Sequence, residues 1–439
     1  MSGTVSICKN EKIERVNATS ENLSIGHIYS GVTTRCGFRV GKHEGKITGL
    51  AAYGDGGKMK DHFNKLFYVE NGEIKNYGLV ISPYQNKFCN PKKDLMKNIT
   101  KIIKWNLYRK IQKKLNGRIS DRFSETEFYF FDQKFTNKDL SAGVQEFSEE
   151  IIVKWISHWV KKTGLKKLAL AGGFFANVKV NQRIMEKCGI DELFIYPNMG
   201  DGGLAIGCAY LSYFKNNKYT KDIGKTDTMY LGTEYSDSEI LSYLKKDEKV
   251  IYEKSKDIAS DTAKLVADRK IIGWFQGKIE FGPRALGSRS VVAMPDDPSI
   301  NDWLNKRMQR TEFMPFAPSV LGEHMDDIFV IPSDKFKKPA EYMTITYDVK
   351  KKWQGKIGVV NHIDNTARPQ MVTKKTNPLY YKMISKVYEL TGLPMTINTS
   401  FNVHEEPIVM TPYDGLNALH RGMVDVLAIG NYLVKMKNN

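Results

Sequence analysis

KKLALAGGFFANVKVNQRIMEK, residues 166–187, is followed after three residues by DELFIYPNMGDGG, residues 191–203. Each stretch opens on a short apolar run of strand character and closes it on two glycines. Each then passes into a helical pattern, FFANVKVNQRIMEK in the first and LAIGCAYLSYF after the second. Strand, glycine loop and helix, twice over, imply parallel strands with both loops at the same carboxyl edge. The region therefore reads as α/β. Loops at that edge can turn backbone N–H groups and a helix N-terminus toward phosphate. A single Gly-Gly turn is common, but two so closely spaced point to a nucleotide cleft.

Working outward, the chain of 439 residues has room for two to four domains. Upstream, TVSI and KIERV are strand-like runs joined by the polar turn CKNE, so the first strand begins almost at the first residue. GHIYSGVTTRCGF has a helical pattern, and GKHEGKITGLAAYGDGG reads as a glycine-rich loop. Residues 85–130 turn basic and irregular and read as an insertion carrying amphipathic helices. Polar residues at 215–250 mark a boundary, which gives one domain over 1–235 and a second over 250–439. No internal repeat is visible.

The net charge of +17 invites a nucleic-acid partner. Lysines spread along the chain read instead as a solvated surface, and aromatic residues are not interleaved with the charges of 85–130 in a stacking pattern. Nucleic acid is thus not expected as a partner. Arginine is distributed differently: 14 of the 66 basic residues are arginine, and five of them lie between 284 and 368. That clustering favours an anionic small substrate. The five cysteines (Cys8, Cys36, Cys89, Cys188, Cys208) are odd in number and form no CxxC pair, which argues against a disulfide framework or a zinc knuckle. No apolar run reaches the roughly 18 residues that span a bilayer, and the first residues have no signal-peptide shape. A cytoplasmic protein with no membrane partner is expected.

In the second half, the helical SDTAKLVADRK and the strand-like IIGWF deliver the loop GKIEFGPRALGSRS, residues 277–290. Gly282, Pro283 and Gly287 bend the backbone. Arg284 and Arg289 offer planar, permanently charged donors suited to phosphate or carboxylate, and Ser288 and Ser290 add hydroxyls. Ile300, Leu304 and Met308 make an apolar stripe at helical spacing, flanked by Lys306 and Arg310; Asp302, four before Lys306, offers that lysine a surface ion pair. In TARPQ, Arg368 and Gln370 would point the same way on an extended strand. INTSFN ends a strand in Asn398, Thr399, Ser400 and Asn402, able to hold a carboxamide. Together these residues read as a basic pocket for a phosphorylated compound bearing an amide-like end.

EFGPRALGSRS, RTEFMPFAPS, DNTARPQ and NTSFN, in this order, resemble the C-terminal, YrdC-like region of the NodU/CmcH O-carbamoyltransferases. GKITGLAAYG, LALAGGFFAN and MGDGGLAIG resemble the preceding actin-like (ASKHA) region of that family, which is related to the TsaD-type threonylcarbamoyl transferases. The resemblance implies an incomplete actin-like domain followed by a YrdC-like α/β domain. It also implies a two-stage reaction, in which carbamoyl phosphate and ATP give a carbamoyl-adenylate and the carbamoyl group then passes to an acceptor hydroxyl on a small molecule. Arg284, Arg289, Lys306, Arg310 and Arg368, with Ser288, are expected at phosphates and the anhydride, and Ser290 and Gln370 are expected among the substrate- or nucleotide-binding residues. Asn398, Ser400 and Asn402 are expected at the carbamoyl or adenosine end. Lys46, Gly172, Gly173, Asn177, Gly200 and Gly202 would line a nucleotide, and Asp201 would be a metal ligand. ATP with Mg2+, and iron or another divalent metal, are the implied cofactors.

Two departures from the family pattern stand out. Met308 occupies a position where many relatives carry lysine, and the histidine-rich metal motif and DGxGDG-like loop that normally precede SGTVSI are not in this sequence. The eight histidines include no closely spaced pair. These departures lead to the expectation that an N-terminal piece, either separately encoded or truncated away, completes transfer. Two further readings stand beside this one: a threonylcarbamoyl-type tRNA modification enzyme, and a catalytically incomplete nucleotide-binding regulatory protein.

Overall fold

A computed structural model of the protein describes residues 1–9, 12–64, 66–76, 135–217, 228–297, 299–308, 315–403 and 406–437. By compactness the chain divides into Met1–Lys166 with Arg183–Ile190, and Lys167–Gln182 with Asp191–Asn439. The expected insertion at 85–130 lies outside the described residues.

In the first unit, strands β1 (Gly3–Lys9) and β2 (Lys12–Thr19) pair antiparallel, as the two strand-like runs imply. The expected helix follows over Ile25–Arg35. The glycine-rich stretch after it is not a loop: Glu44–Ala51 is helical, with Ile47 and Leu50 buried one turn apart. That apolar spacing outweighs the helix penalty of Gly45 and Gly49. Strands β3 (Phe67–Glu70) and β4 (Glu73–Asn76) form a second hairpin. The long helix Asn137–Thr163 starts where the Thr136 hydroxyl accepts from the Asp139 N–H, and stops at Gly164 in the left-handed region. Its buried face carries Val144 and Phe147, and the Phe147 ring stacks on Phe63 at 5.7 Å.

In the second unit, β5 (Lys167–Leu170) and β6 (Glu192–Ile195) are parallel neighbours, as the opening stretch requires. The helix Val178–Lys187 follows β5, its last residues from Arg183 on being counted with the first unit, and the helix Leu204–Asn216 follows β6. The larger sheet has eight strands: β7 (Val250–Lys254), β8 (Ile272–Phe275), β9 (Arg289–Ala293), β10 (Ala317–Leu321), β13 (Gln370–Val372), β14 (Met395–Ser400), β15 (Val426–Ile429) and β16 (Tyr432–Met436). A separate short pair, β11 (Tyr347–Asp348) with β12 (Thr366–Ala367), lies outside it. The spatial order is β13-β10-β14-β9-β8-β15-β16-β7. Pairs β13/β10 and β8/β15 are parallel and the rest antiparallel. β8, β9 and β10 are buried along their whole length, which is why IGWF reads as an unbroken apolar run.

Helices Ile258–Ala267 and Pro378–Thr391 supply much of the core over this sheet, with Ala263, Val266, Met383, Ile384 and Val387 packed with Trp274 and Val292. Register places the motifs. Phe275 sits opposite Arg289, Ser290 opposite Ser400, and Asn398 opposite Ala317. Antiparallel pairing thus gathers the end of β8, the starts of β9 and β10 and the end of β14 at one edge of the sheet.

Candidate active site

The loop between β8 and β9 is organised by a residue that the sequence reading passed over. Glu280 is buried, and its Oε1 accepts from the N–H groups of Leu286 at 2.8 Å, Ser288 at 2.6 Å and Arg289 at 3.1 Å. The loop's carbonyls are taken as well. Gln370 Nε2 donates to Leu286 O at 2.6 Å, Asn398 Nδ2 to Ala285 O at 3.1 Å, and Trp274 Nε1 to Gly287 O at 3.0 Å. Ser290 Oγ accepts from the Gly287 N–H at 3.1 Å. Glycine is required at 287: φ is +93°, and a Cβ would lie 2.3 Å from the Tyr380 ring. Beyond the loop, Gly282 comes close to Pro197 and Asn198, so this loop and the second glycine loop are neighbours within one unit.

The two arginines of the loop have different fates. Arg289 is fully buried, and its guanidinium donates to the carbonyls of Gln276 (2.9 Å), Ser288 (3.0 Å) and Gly277 (3.1 Å) while lying over the Phe275 ring at 3.6 Å. Burial holds its pKa down to about 10, with the Glu280 carboxylate opposing. Arg289 is expected at a phosphate; in the structure its terminal nitrogens donate to loop carbonyls, while its Nε, like that of Arg284, is enclosed without an acceptor. Arg284 is half-buried, its Nε is enclosed with no hydrogen-bond acceptor, and no carboxylate pairs with it among the described residues. Burial alone draws its pKa below the ordinary arginine value. A desolvated cation without a counter-charge is costly and is the strongest anion-site feature of this edge.

The amides are similarly divided. Gln370 is buried and its Oε1 accepts from Ser319 Oγ at 2.6 Å and Asn398 Nδ2 at 2.8 Å. Both residues therefore clamp the arginine loop rather than offer their N–H groups to a ligand. Asn398 Oδ1 remains a buried acceptor without a donor. Asn402 Nδ2 donates to Val403 O at 2.9 Å and Glu406 O at 2.8 Å, which ties its own loop. Ser288 is buried in the loop, and Ser400 sits beside Ser290 in the ladder. Arg368 falls between the strand segments Thr366–Ala367 and Gln370–Val372, so it and Gln370 do not share one continuous strand. Lys306 is exposed on the helix Ser299–Arg307, whose Ile300 and Leu304 are core, as is Met308 just after it. Arg310 lies outside the described residues.

The glycine loops are more open. Gly172 (φ +115°), Gly173 and Gly200 have nothing within 4 Å of the position a Cβ would take, whereas Gly202 packs its backbone against Asn198. Asn177 is buried and its Oδ1 accepts from the Val180 N–H at 3.1 Å, capping the helix that follows. In the first unit, Lys46 is buried with its Nζ 5.7 Å from the centre of the Phe38 ring. Asp201 is exposed, and among the described residues no three of His, Cys, Asp and Glu come together as a metal site. These residues do not by themselves fit the iron or other divalent metal that the resemblance implies.

Glu280 was missed because an isolated glutamate reads as solvated. The available signal was that it is the one acid in a fourteen-residue stretch containing two arginines and a lysine.

Two family models match the chain, "Carbamoyltransferase N-terminus" over residues 4–210 and "Carbamoyltransferase C-terminus" over 263–436. The chain is 36% identical to the uncharacterized protein MJ1058 of Methanocaldococcus jannaschii over 96% of its own length and 64% of that protein's. It is 30% identical to MJ1051 of the same organism, covering 99% and 76%. Nodulation protein NolNO of Sinorhizobium fredii is 29% identical, with 99% of this chain matching 59% of that protein. This chain thus spans about two thirds of the length of these relatives. Among solved structures, full-length HypF in a phosphate- and nucleotide-bound form aligns at 18% identity with a TM-score of 0.30, over 43% of this chain and 23% of that one.

Proposed function

Since the chain belongs to the carbamoyltransferase family, we propose that it makes a carbamoyl-adenylate from carbamoyl phosphate and ATP and delivers the carbamoyl group to the hydroxyl of a small-molecule acceptor. The observation that carries this reading is Arg284. Its guanidinium is desolvated, lacks a counter-charge among the described residues, and stands on a loop whose peptide groups are fixed by Glu280, Gln370 and Asn398. Joining two polyanions needs cations already in place to offset their repulsion and the charge that develops on the transferring group.

In this reading the second unit's sheet is the YrdC-like part, and β5, β6 and their glycine loops belong to the actin-like part. Arg284 and Arg368 hold the α-phosphate and the anhydride, with the exposed Lys306 adding positive charge. Water first splits carbamoyl phosphate into carbamate and inorganic phosphate; a carbamate oxygen then bonds to the α-phosphorus of ATP as the bond to the β-phosphate oxygen breaks and pyrophosphate leaves. Asn398 Oδ1, the buried acceptor without a donor, takes an N–H of the carbamoyl amide. ATP enters as its magnesium complex, which supplies further charge neutralisation. No step is assigned to an iron site, because the described residues do not assemble one. The glycine loops at 172–173 and 200–203 receive the nucleotide end during transfer, and the close approach of Gly282 to Asn198 makes the two loops adjoining surfaces.

The test is exchange of labelled pyrophosphate into ATP by the purified chain. Exchange that depends on carbamoyl phosphate is expected. No exchange across a range of magnesium and pH would overturn the adenylate assignment. Binding of tRNA with a steep salt dependence would favour threonylcarbamoyl chemistry instead.

A further inference from the structure

Successive backbone N–H groups pointing into one concavity are a common phosphate-binding device. The 282–290 loop builds such a concavity with the N–H groups of Leu286, Ser288 and Arg289, and then fills it from within by the Glu280 carboxylate. An entering phosphate cannot use those donors while Glu280 occupies them. It must be held by what the loop projects, and Arg284 is the cation projected without a counter-charge among the described residues.

Glu280 is also held from behind. Its backbone bridges Tyr230, whose hydroxyl donates to Leu286 O at 2.7 Å and accepts from Asn377 Nδ2 at 3.1 Å. Leu286 is therefore gripped on both sides, at its N–H by Glu280 and at its carbonyl by Tyr230 and Gln370. Arg284 lies two residues before this grip. The backbone before Gly282 is pinned as well, the Phe281 N–H donating to Met229 O at 2.7 Å, so Arg284 stands on a short segment held at both ends.

We propose that Glu280 is a positioning residue: by filling the loop's own anion nest it fixes the backbone from which Arg284 meets phosphate, and it makes phosphate binding depend on Arg284 rather than on the loop's N–H groups. This rests on the proposed function, in that the anion is taken to be the phosphate of ATP.

The experiment is a double-mutant cycle on the full chain, with Arg284→Ala, Glu280→Gln and the double variant, read by calorimetric binding of ATP and of inorganic pyrophosphate. Arg284→Ala should weaken both probes by about 30-fold or more, the loss expected when a charged, desolvated partner is removed. Glu280→Gln should weaken them to within a few fold of that, and the double variant should be no weaker than either single one, because residues acting through one another are not additive. Amide exchange at 286–289 should speed up in Glu280→Gln and not in Arg284→Ala. Fold losses that multiply would mean that Glu280 acts separately, and would overturn the inference. Wild-type binding by Glu280→Gln would also overturn it and leave the pocket reading standing. Unchanged binding by Arg284→Ala would remove the pocket reading itself. Should Glu280→Gln fail to fold, Glu280→Asp, which keeps the charge on a shorter arm, takes its place in the cycle; wild-type binding by it would count against the fixed loop.

Discussion

The glycine loops at 172–173 and 200–203 and the arginine loop at 282–290 use similar residue types and reach opposite states. In the first pair nothing crowds the Cβ positions of Gly172, Gly173 and Gly200, although the Gly172 N–H is already given to Met199 O at 2.7 Å. In the second, side chains from four other parts of the unit take up the peptide groups: Glu280, Gln370, Asn398 and Trp274. An open glycine loop can bind an anion by its N–H groups. A loop already filled can only present side chains. Glycine content does not distinguish the two cases, whereas a nearby buried acid or amide does.

The sharpest way to break this comparison is to add one methyl group to each loop. Gly287→Ala places a Cβ 2.3 Å from the Tyr380 ring, which is fully buried and cannot yield, at a φ of +93°. Left-handed strain and overpacking together should cost about 3 to 5 kcal/mol. Gly173→Ala meets nothing within 4 Å and should change stability by no more than about 0.5 kcal/mol. Urea unfolding midpoints decide the matter. Similar losses in both variants would mean that the open loop is as tightly built as the filled one.

A second contrast lies within the arginine loop. Arg289→Met removes donors to three carbonyls, two of them buried, and the cation over Phe275, and should destabilise by about 2 to 3 kcal/mol. Arg284→Met removes a desolvated charge without a counter-ion among the described residues and should leave stability unchanged or slightly improved. Pyrophosphate exchange should respond in the reverse sense, with Arg284→Met losing about 2 to 4 kcal/mol of transition-state stabilisation. Equal destabilisation by both substitutions would show that Arg284 also belongs to the scaffold.

These contrasts show what the sequence could convey. Apolar runs closed by glycines located β5, β6 and β8, and the 3.6-residue spacing of Ile300, Leu304 and Met308 located a helical core face, since each of these signals is local. The stretch 44–51 misled because Gly45 and Gly49 suggest a loop, while the buried face of Ile47 and Leu50 decides for helix. For the site, the sequence indicated which residue types gather but not which way their donors turn. Gln370 and Asn398 were readable as polar groups at strand ends. That their amides hold Ala285 and Leu286 depends on β10 pairing with both β13 and β14, a long-range fact without a local trace.

The smallest expected loss from a broken ion pair bears on the segment after the first glycine loop. Lys179, in the helix after the first glycine loop, pairs with Asp364 at 2.7 Å, and Asp364 also accepts from Thr366 and lies beside His362. Burial works against the Asp364 carboxylate, but His362, Lys179 and Thr366 outweigh it and bring its pKa well below the ordinary value. A carboxyl whose pKa falls on folding adds stability above its unfolded pKa of about 3.9, and that stability is lost as the pH drops through the folded value. Asp364→Asn should therefore cost about 1 to 2 kcal/mol at pH 7, the pair being partly exposed and screened. The difference from wild type should shrink by up to about 1.4 kcal/mol per pH unit below about 3.9. Urea midpoints of both proteins at pH 7 and near pH 3 measure it. A difference that stays constant with pH would assign the loss to packing around Asp364, and the segment after the open loop would then be held to the sheet-bearing body by shape rather than by charge.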